Sequence, residues 1–115
     1  FPKLKVAYLE GNCSWLPWLL WRMEEYGELT GVAEHPQMKL SPLEYFQRQC
    51  WGAVECDEHV AKFIPEFGLE DNIVFSTDYP HWQFEGQGAM PEGFDATLAR
   101  KIMAENPLKA YPRLQ

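Results

Sequence analysis

Residues 72–81, Asn-Ile-Val-Phe-Ser-Thr-Asp-Tyr-Pro-His, constrain the fold of this chain more than any other stretch. Ile73, Val74 and Phe75 form an unbroken apolar run, as expected of a parallel strand covered on both faces. Ser76 and Thr77 are small and polar, and Asp78 falls where the strand should end. Tyr79-Pro80 enforces the stop, because proline lacks an amide hydrogen and restricts the residue before it. A carboxylate at the C-terminal end of a buried parallel strand stands where α/β barrels and open α/β sheets place their chemistry. An aspartate that only caps the following turn fits the same local pattern.

Two further strands follow from the same reasoning. Leu4–Leu9 is rich in β-formers and ends at Glu10-Gly11-Asn12, and Cys50–Glu55 is the second. Helical segments separate them. Ser14 as N-cap and Pro17 in the first turn start a helix running to about Tyr26, with Trp15, Trp18 and Trp21 among leucines, so apolar that more than one face should be covered. Residues 27–39 are polar and irregular. Ser41-Pro42-Leu43-Glu44 opens a helix to Gln49 with a cap, a proline and first-turn acid. Asp57 is the expected cap of a helix whose stripe is Val60, Phe63, Ile64 and Phe67, distorted or ended early by Pro65. A loop covers 82–93, and Asp95 caps a last helix that should stop near Asn106-Pro107. Glu55 and Asp57 end the second strand, so one of them is placed to reach a pocket, with an N-cap the simpler role for Asp57.

The 115 residues suffice for one domain, taken as 1–115, with 46% apolar composition. A net charge of −7 and the lack of a basic cluster argue against nucleic acid and against an anionic membrane surface. No apolar run approaches the roughly 20 residues of a spanning helix. The chain opens Phe1-Pro2-Lys3, without a signal-peptide pattern, which suggests trimming or a start inside a longer chain. Cys13, Cys50 and Cys56 have no CxxC spacing and read as free thiols of a reducing, cytoplasmic compartment.

Strands alternating with helices imply parallel βα units. Only three strands can be counted, and three leave two open edges. The pattern is that of a larger protein's part. Residues 1–11, residues 71–81 (Asp-Asn-Ile-Val-Phe-Ser-Thr-Asp-Tyr-Pro-His) and Glu105-Asn106-Pro107-Leu108-Lys109-Ala110-Tyr111 together resemble the amidohydrolase-related family, which includes aminocarboxymuconate-semialdehyde decarboxylase and related metal-dependent hydrolases and decarboxylases.

The resemblance implies an α/β fold, the C-terminal portion (strands six to eight) of a TIM-like (β/α)8 barrel. It implies that Asp78, at the strand-eight position, is a metal ligand that also orients or activates a metal-bound water. The other ligands, a His-x-His pair on strand one and a histidine on strand five, belong to strands not in this chain. His35, His59 and His81 do not replace them. Strand six of the decarboxylase branch ends in His-Gly-Gly, where this chain has Glu10-Gly11-Asn12. Glu10 is then a second general base or metal-proximal carboxylate, or a turn cap. His81 lines the pocket and binds substrate, or is a satisfied loop histidine. His35 and His59 are read as surface residues. The cofactor implied for the complete enzyme is a divalent metal, most simply zinc, which lowers the pKa of bound water toward about 7. Its substrates would be small organic acids, amides or esters. The isolated chain is expected to hold no metal and to be inactive. The alternative is a non-catalytic oligomerising fragment or assembly module. Open edges imply a homo-oligomer or a complementing barrel subunit.

Overall fold

The structure, a computed structural model, describes residues 1–82, 84, 86 and 90–114. Strands β1 (Val6–Tyr8), β2 (Cys50–Val54) and β3 (Ile73–Phe75) lie in chain order and run parallel. That is the arrangement expected from the βα alternation. β2 divides its length between its neighbours: Cys50–Gly52 pair with β1, and Gly52–Val54 pair with β3. The resulting stagger is of the kind that closes a tilted sheet into a barrel. It also explains why β1 and β3 are shorter than expected, since each has one neighbour and loses it after three residues.

Alternation of side chains gives the sheet two faces. Val54 and Ile73 join the main core with Cys13, Leu16, Leu20, Phe46, Ile64, Leu69, Leu98 and Ile102. Trp51, Ala53 and Val74 form a smaller cluster with Ala110, against which Ala7 packs. The helices therefore cover one face thickly and the other thinly.

Helix α1 (Leu16–Tyr26) has Pro17 in its first turn, as expected, but Ser14 does not cap it. Its hydroxyl is instead 2.6 Å from the Glu58 carboxylate. The helix also does not give way to irregular chain at Gly27. Gly27 has helical dihedrals (φ −58°, ψ −43°), and a π-helical turn, Gly27–Gly31, leads into α2 (Val32–Glu34). A glycine ends a helix when it turns left-handed, which this one does not. Leu16 and Leu20 are buried, whereas Trp18 and Trp21 are 64% and 51% exposed, so within this chain only one face of α1 is covered.

Helix α3 (Pro42–Gln49) has the expected capping box: Ser41 accepts from the Glu44 amide and Glu44 reaches back to that of Ser41. Helix α4 is only Phe63–Glu66, and Asp57 does not cap it. Pro65 sets this limit, because its missing N–H is tolerated only in a first turn. Val60 and Ile64 are nonetheless buried, as the stripe required. Helix α5 (Ala96–Arg100) is capped by Asp95, which accepts from Leu98 N at 2.8 Å. The helix then continues through Asn106-Pro107, where a stop was expected. A π-helical segment, Lys101–Glu105, precedes α6 (Asn106–Ala110), and the Asn106 amide bonds to the Lys101 carbonyl. That wider turn leaves room for the proline ring. A short 3₁₀ turn, Pro112–Leu114, follows. Part of the expected 82–93 loop lies outside the described residues.

The Asn106 side-chain amide donates to the carbonyls of Glu70 and Ile73, both at 2.7 Å. The Ile73 carbonyl points away from β2, because that of Asn72, one residue earlier, points toward it. Asn106 thus covers one point of an open sheet edge. Asp71, at the foot of β3, accepts from Lys101 (3.2 Å) and Lys109 (2.5 Å) and ties down the same helix.

Candidate active site at the strand ends

Each strand delivers a carboxylate beyond its C-terminal end: Glu10 after β1, Glu55 after β2 and Asp78 after β3. Because the strands are parallel neighbours, all three fall on one edge of the sheet. Glu10, Asn12 and Asp78 have φ of 54°, 55° and 54°. Non-glycine residues in this left-handed region cost about 1–2 kcal/mol each and persist where the surroundings over-determine them, often at functional sites. Two of the three strands therefore exit through a strained turn that carries an acidic side chain.

The turn after β3 is tied internally. Asp78 N lies 3.4 Å from Ser76 Oγ, and Tyr79 N lies 3.3 Å from Thr77 Oγ1. The small polar pair before Asp78 holds the turn in this way. The His81 amide donates to the Asp78 carbonyl at 2.7 Å, and His81 Nδ1 lies 3.1 Å from Asp78 Oδ2. The Tyr79–Pro80 bond is cis. His81 is exposed and Asp78 partly buried. The two residues singled out near β3 are thus in contact.

The β1–α1 loop is held from two sides. Trp15 Nε1 donates to the carbonyls of Gly11 and Asn12, both at 2.9 Å. The Glu58 carboxylate accepts from the amides of Cys13 and Ser14, both at 2.8 Å. The Asn12 amide takes the orientation in which its NH2 group faces Glu55, 3.0 and 3.1 Å from the two carboxylate oxygens. The opposite orientation would set oxygen against oxygen.

Glu55 is the electrostatic centre of the edge. Burial pushes its carboxyl above the usual glutamate range, and the negative charges of Asp78, Glu58, Asp57 and Glu10 push it the same way. A carboxyl whose protonated form is favoured by burial and like charges is the raw material of acid–base chemistry. The Cys13 thiol, buried and facing Glu58, is likewise held well above the usual thiol range, which keeps it protonated and unreactive. No disulfide joins the three cysteines.

The structure brings Glu10, Asp78 and His81 to the same edge and leaves His35 and His59 exposed, in line with their reading as surface residues. It adds Asn12 and Glu58, which sequence reasoning missed. A signal for Glu58 existed. Glu55 and Glu58 are three apart, the Glu55 amide donates to Glu58 Oε2 (3.1 Å), and the Glu58 amide meets the Glu55 carbonyl (3.3 Å), a reciprocal pattern like a capping box. Among the described residues no three His, Cys, Asp or Glu side chains are placed to hold a metal ion together, and no helix is long and apolar enough to cross a membrane. A mostly apolar cleft of about 340 Å³, lined by Gly27, His35, Met38 and Pro42 among others, includes none of the strand-end residues.

Parallel βα units with helices massed on one face are the arrangement of a partial α/β barrel. The chain belongs to the amidohydrolase family: the family described as Amidohydrolase matches residues 1–113. It is similar to the crystal structure of an amidohydrolase from Mycobacterium avium subsp. paratuberculosis K-10, with 26% identity and a TM-score of 0.71. That match covers 95% of this chain and 28% of the other, so the chain spans less than a third of its structural relative. No significant match is found among curated proteins.

Proposed function

We propose that the chain is the sixth-to-eighth-strand sector of an amidohydrolase-type (β/α)8 barrel, a metal-dependent hydrolase or decarboxylase of small organic acids, amides or esters. The observation that carries this reading is the alignment of Glu10, Glu55 and Asp78 at the ends of three consecutive parallel strands. In this reading Asp78 is the chain's ligand to a divalent metal, most simply zinc, and His81 holds its carboxylate and contacts substrate. Glu10, exposed at the rim, is suited to accept a proton, and Glu55, disposed to keep one, to donate it.

The residues present do not fit a complete metal site. Asp78 has a single histidine beside it, and a structural or catalytic zinc takes three or four protein ligands. The missing imidazoles must come from other strands, so the isolated chain is inactive. A second reading, a non-catalytic oligomerising module, draws support from the open edges of β1 and β3 and from the exposed Trp18 and Trp21.

A chimera separates the two. Residues 1–113 would replace the aligned part of the Mycobacterium amidohydrolase, and zinc would be measured by elemental analysis after dialysis. The enzyme reading expects one tightly held zinc per chimera, its loss in Asp78→Asn, and none in the isolated chain. Equal zinc in the chimera and its Asp78→Asn variant would remove Asp78 from the metal site.

A further inference from the structure

Glu58 is a buried carboxylate, 5% exposed, with no cation beside it among the described ion pairs. Left alone, such a charge would be costly. It is instead surrounded by donors. Oε1 accepts from Cys13 N (2.8 Å), Ser14 N (2.8 Å) and Ser14 Oγ (2.6 Å). Oε2 accepts from Glu55 N (3.1 Å) and faces the Cys13 thiol at 3.6 Å.

The donors come from two places. Cys13 and Ser14 end the loop that carries Glu10 and Asn12, and Glu55 is the first residue after β2. No backbone pairing joins these segments beyond the last ladder partners, Tyr8 and Gly52. Past that point the β1 exit turns through two left-handed residues, while β2 runs on. Glu58 bridges the gap between them.

We propose that Glu58 is a positioning residue for the strand-end site: it clamps the β1–α1 loop against the end of β2, so that the Asn12 amide meets the Glu55 carboxylate and Glu10 is held at the rim. Its role is geometric. An oxygen that already accepts three hydrogen bonds has little capacity left to take a proton from substrate. Multiple donors per oxygen are what a fixed anchor requires, and an anchor is what a loop with two left-handed non-glycine residues requires. Trp15 holds the carbonyl side of the same loop and Glu58 the amide side, so the loop is fixed at both poles of its peptide groups. The importance of the clamp for catalysis rests on the functional reading above; the clamp itself does not.

The test therefore needs neither substrate nor metal. Hydrogen exchange and side-chain amide NMR would be recorded on the 115-residue chain and on Glu58→Gln. The variant keeps the shape and loses the charge. Charge-assisted hydrogen bonds are among the stronger ones in proteins, so exchange at Cys13, Ser14 and Glu55 should accelerate on the order of ten- to a hundredfold. Exchange at Val54 and Val74 should stay as it was, and the Asn12 NH2 signals should lose the separation and protection that contact with Glu55 confers. Ser14→Ala, which removes one donor from an exposed side chain, should give a smaller acceleration confined to Cys13 and Ser14, and it serves if Glu58→Gln does not fold. Unchanged exchange at Cys13 and Ser14 in both variants, or an Asn12–Glu55 signature that survives Glu58→Gln, would overturn the proposal. A uniform acceleration across Val54 and Val74 would also overturn it, by showing a general loss of stability in place of a local clamp. Failure of the zinc chimera would instead count against the enzyme reading and leave the clamp standing.

Discussion

At the scale of residues, the strand-end edge gathers like charges at a cost in stability. Glu55 binds its proton more tightly in the folded chain than an ordinary glutamate does, through burial and four acidic neighbours. The sign follows from linkage. A carboxyl with a raised folded pKa costs stability as pH rises from the ordinary glutamate range through the raised value, and the loss is regained on acidification. Asp71 has the opposite sign. Hydrogen bonds from Lys109 and Lys101 hold its carboxyl below the usual range, so its contribution is present at neutral pH and fades as acid protonates it. Glu55→Gln should accordingly raise stability at pH 7 and flatten the stability profile from the ordinary glutamate range upward, read by urea denaturation across pH. A destabilised Glu55→Gln at pH 7 would mean that Asn12 compensates the charge in full. The placement of Asp78 and His81 beyond the end of β3 was legible because an apolar run ending in Asp-Tyr-Pro-His marks where a strand stops. Of Glu58 only the three-residue spacing from Glu55 was local; its partners Cys13 and Ser14 lie 45 and 44 positions away, and only the fold unites them.

At the scale of elements, the three strands, their parallel sense and the caps at Ser41 and Asp95 were readable from alternation and cap chemistry. Helix lengths were less so. Gly27 and Pro107 read as stops, yet π-helical turns carry the chain through both positions. Pro65, by contrast, cut α4 shorter than its apolar stripe suggested. Local signals name where a helix is weak, and packing decides whether it breaks. Gly52 shows the converse, a constraint with no local signal. It pairs with both β1 and β3, and a Cβ there would stand 2.8 Å from Leu16 Cδ1 and 3.3 Å from Cys13 Cβ. The close approach seats α1 and the start of the β1–α1 loop directly on the central strand. Gly52→Ala should cost about 1–3 kcal/mol through overpacking, measured by denaturant unfolding. A neutral substitution would show that α1 shifts freely on the sheet, and that the loop it carries is not fixed by the core.

At the scale of the whole molecule, the chain has the dimensions of an open sector. Its radius of gyration is 15.3 Å, where a compact domain of this length would have about 13 Å. β1 and β3 are both edges, and Asn106 bonds to the outer side of β3 at Ile73. Trp51, Val54 and Ile73 are buried, but Tyr8 is 41% exposed and Val6 and Phe75 are only half-covered. The half-covered residues of the two edge strands and the tryptophan face of α1 both present apolar area, and burying a large apolar side chain is worth roughly 1.5–3 kcal/mol. A small domain's margin of about 5–15 kcal/mol is of the same order as a few such side chains. The edges and these faces together demand cover, either from the remaining barrel strands or from a second copy related by a twofold axis. The most direct test is light scattering on the pure 115-residue chain across a broad dilution series. The expected result is a mass of two or more chains at micromolar concentration, falling toward that of one chain only on dilution. A folded, monodisperse 13.4 kDa species at every concentration would show that three strands close their own core, and would contradict the reading of this chain as an incomplete barrel.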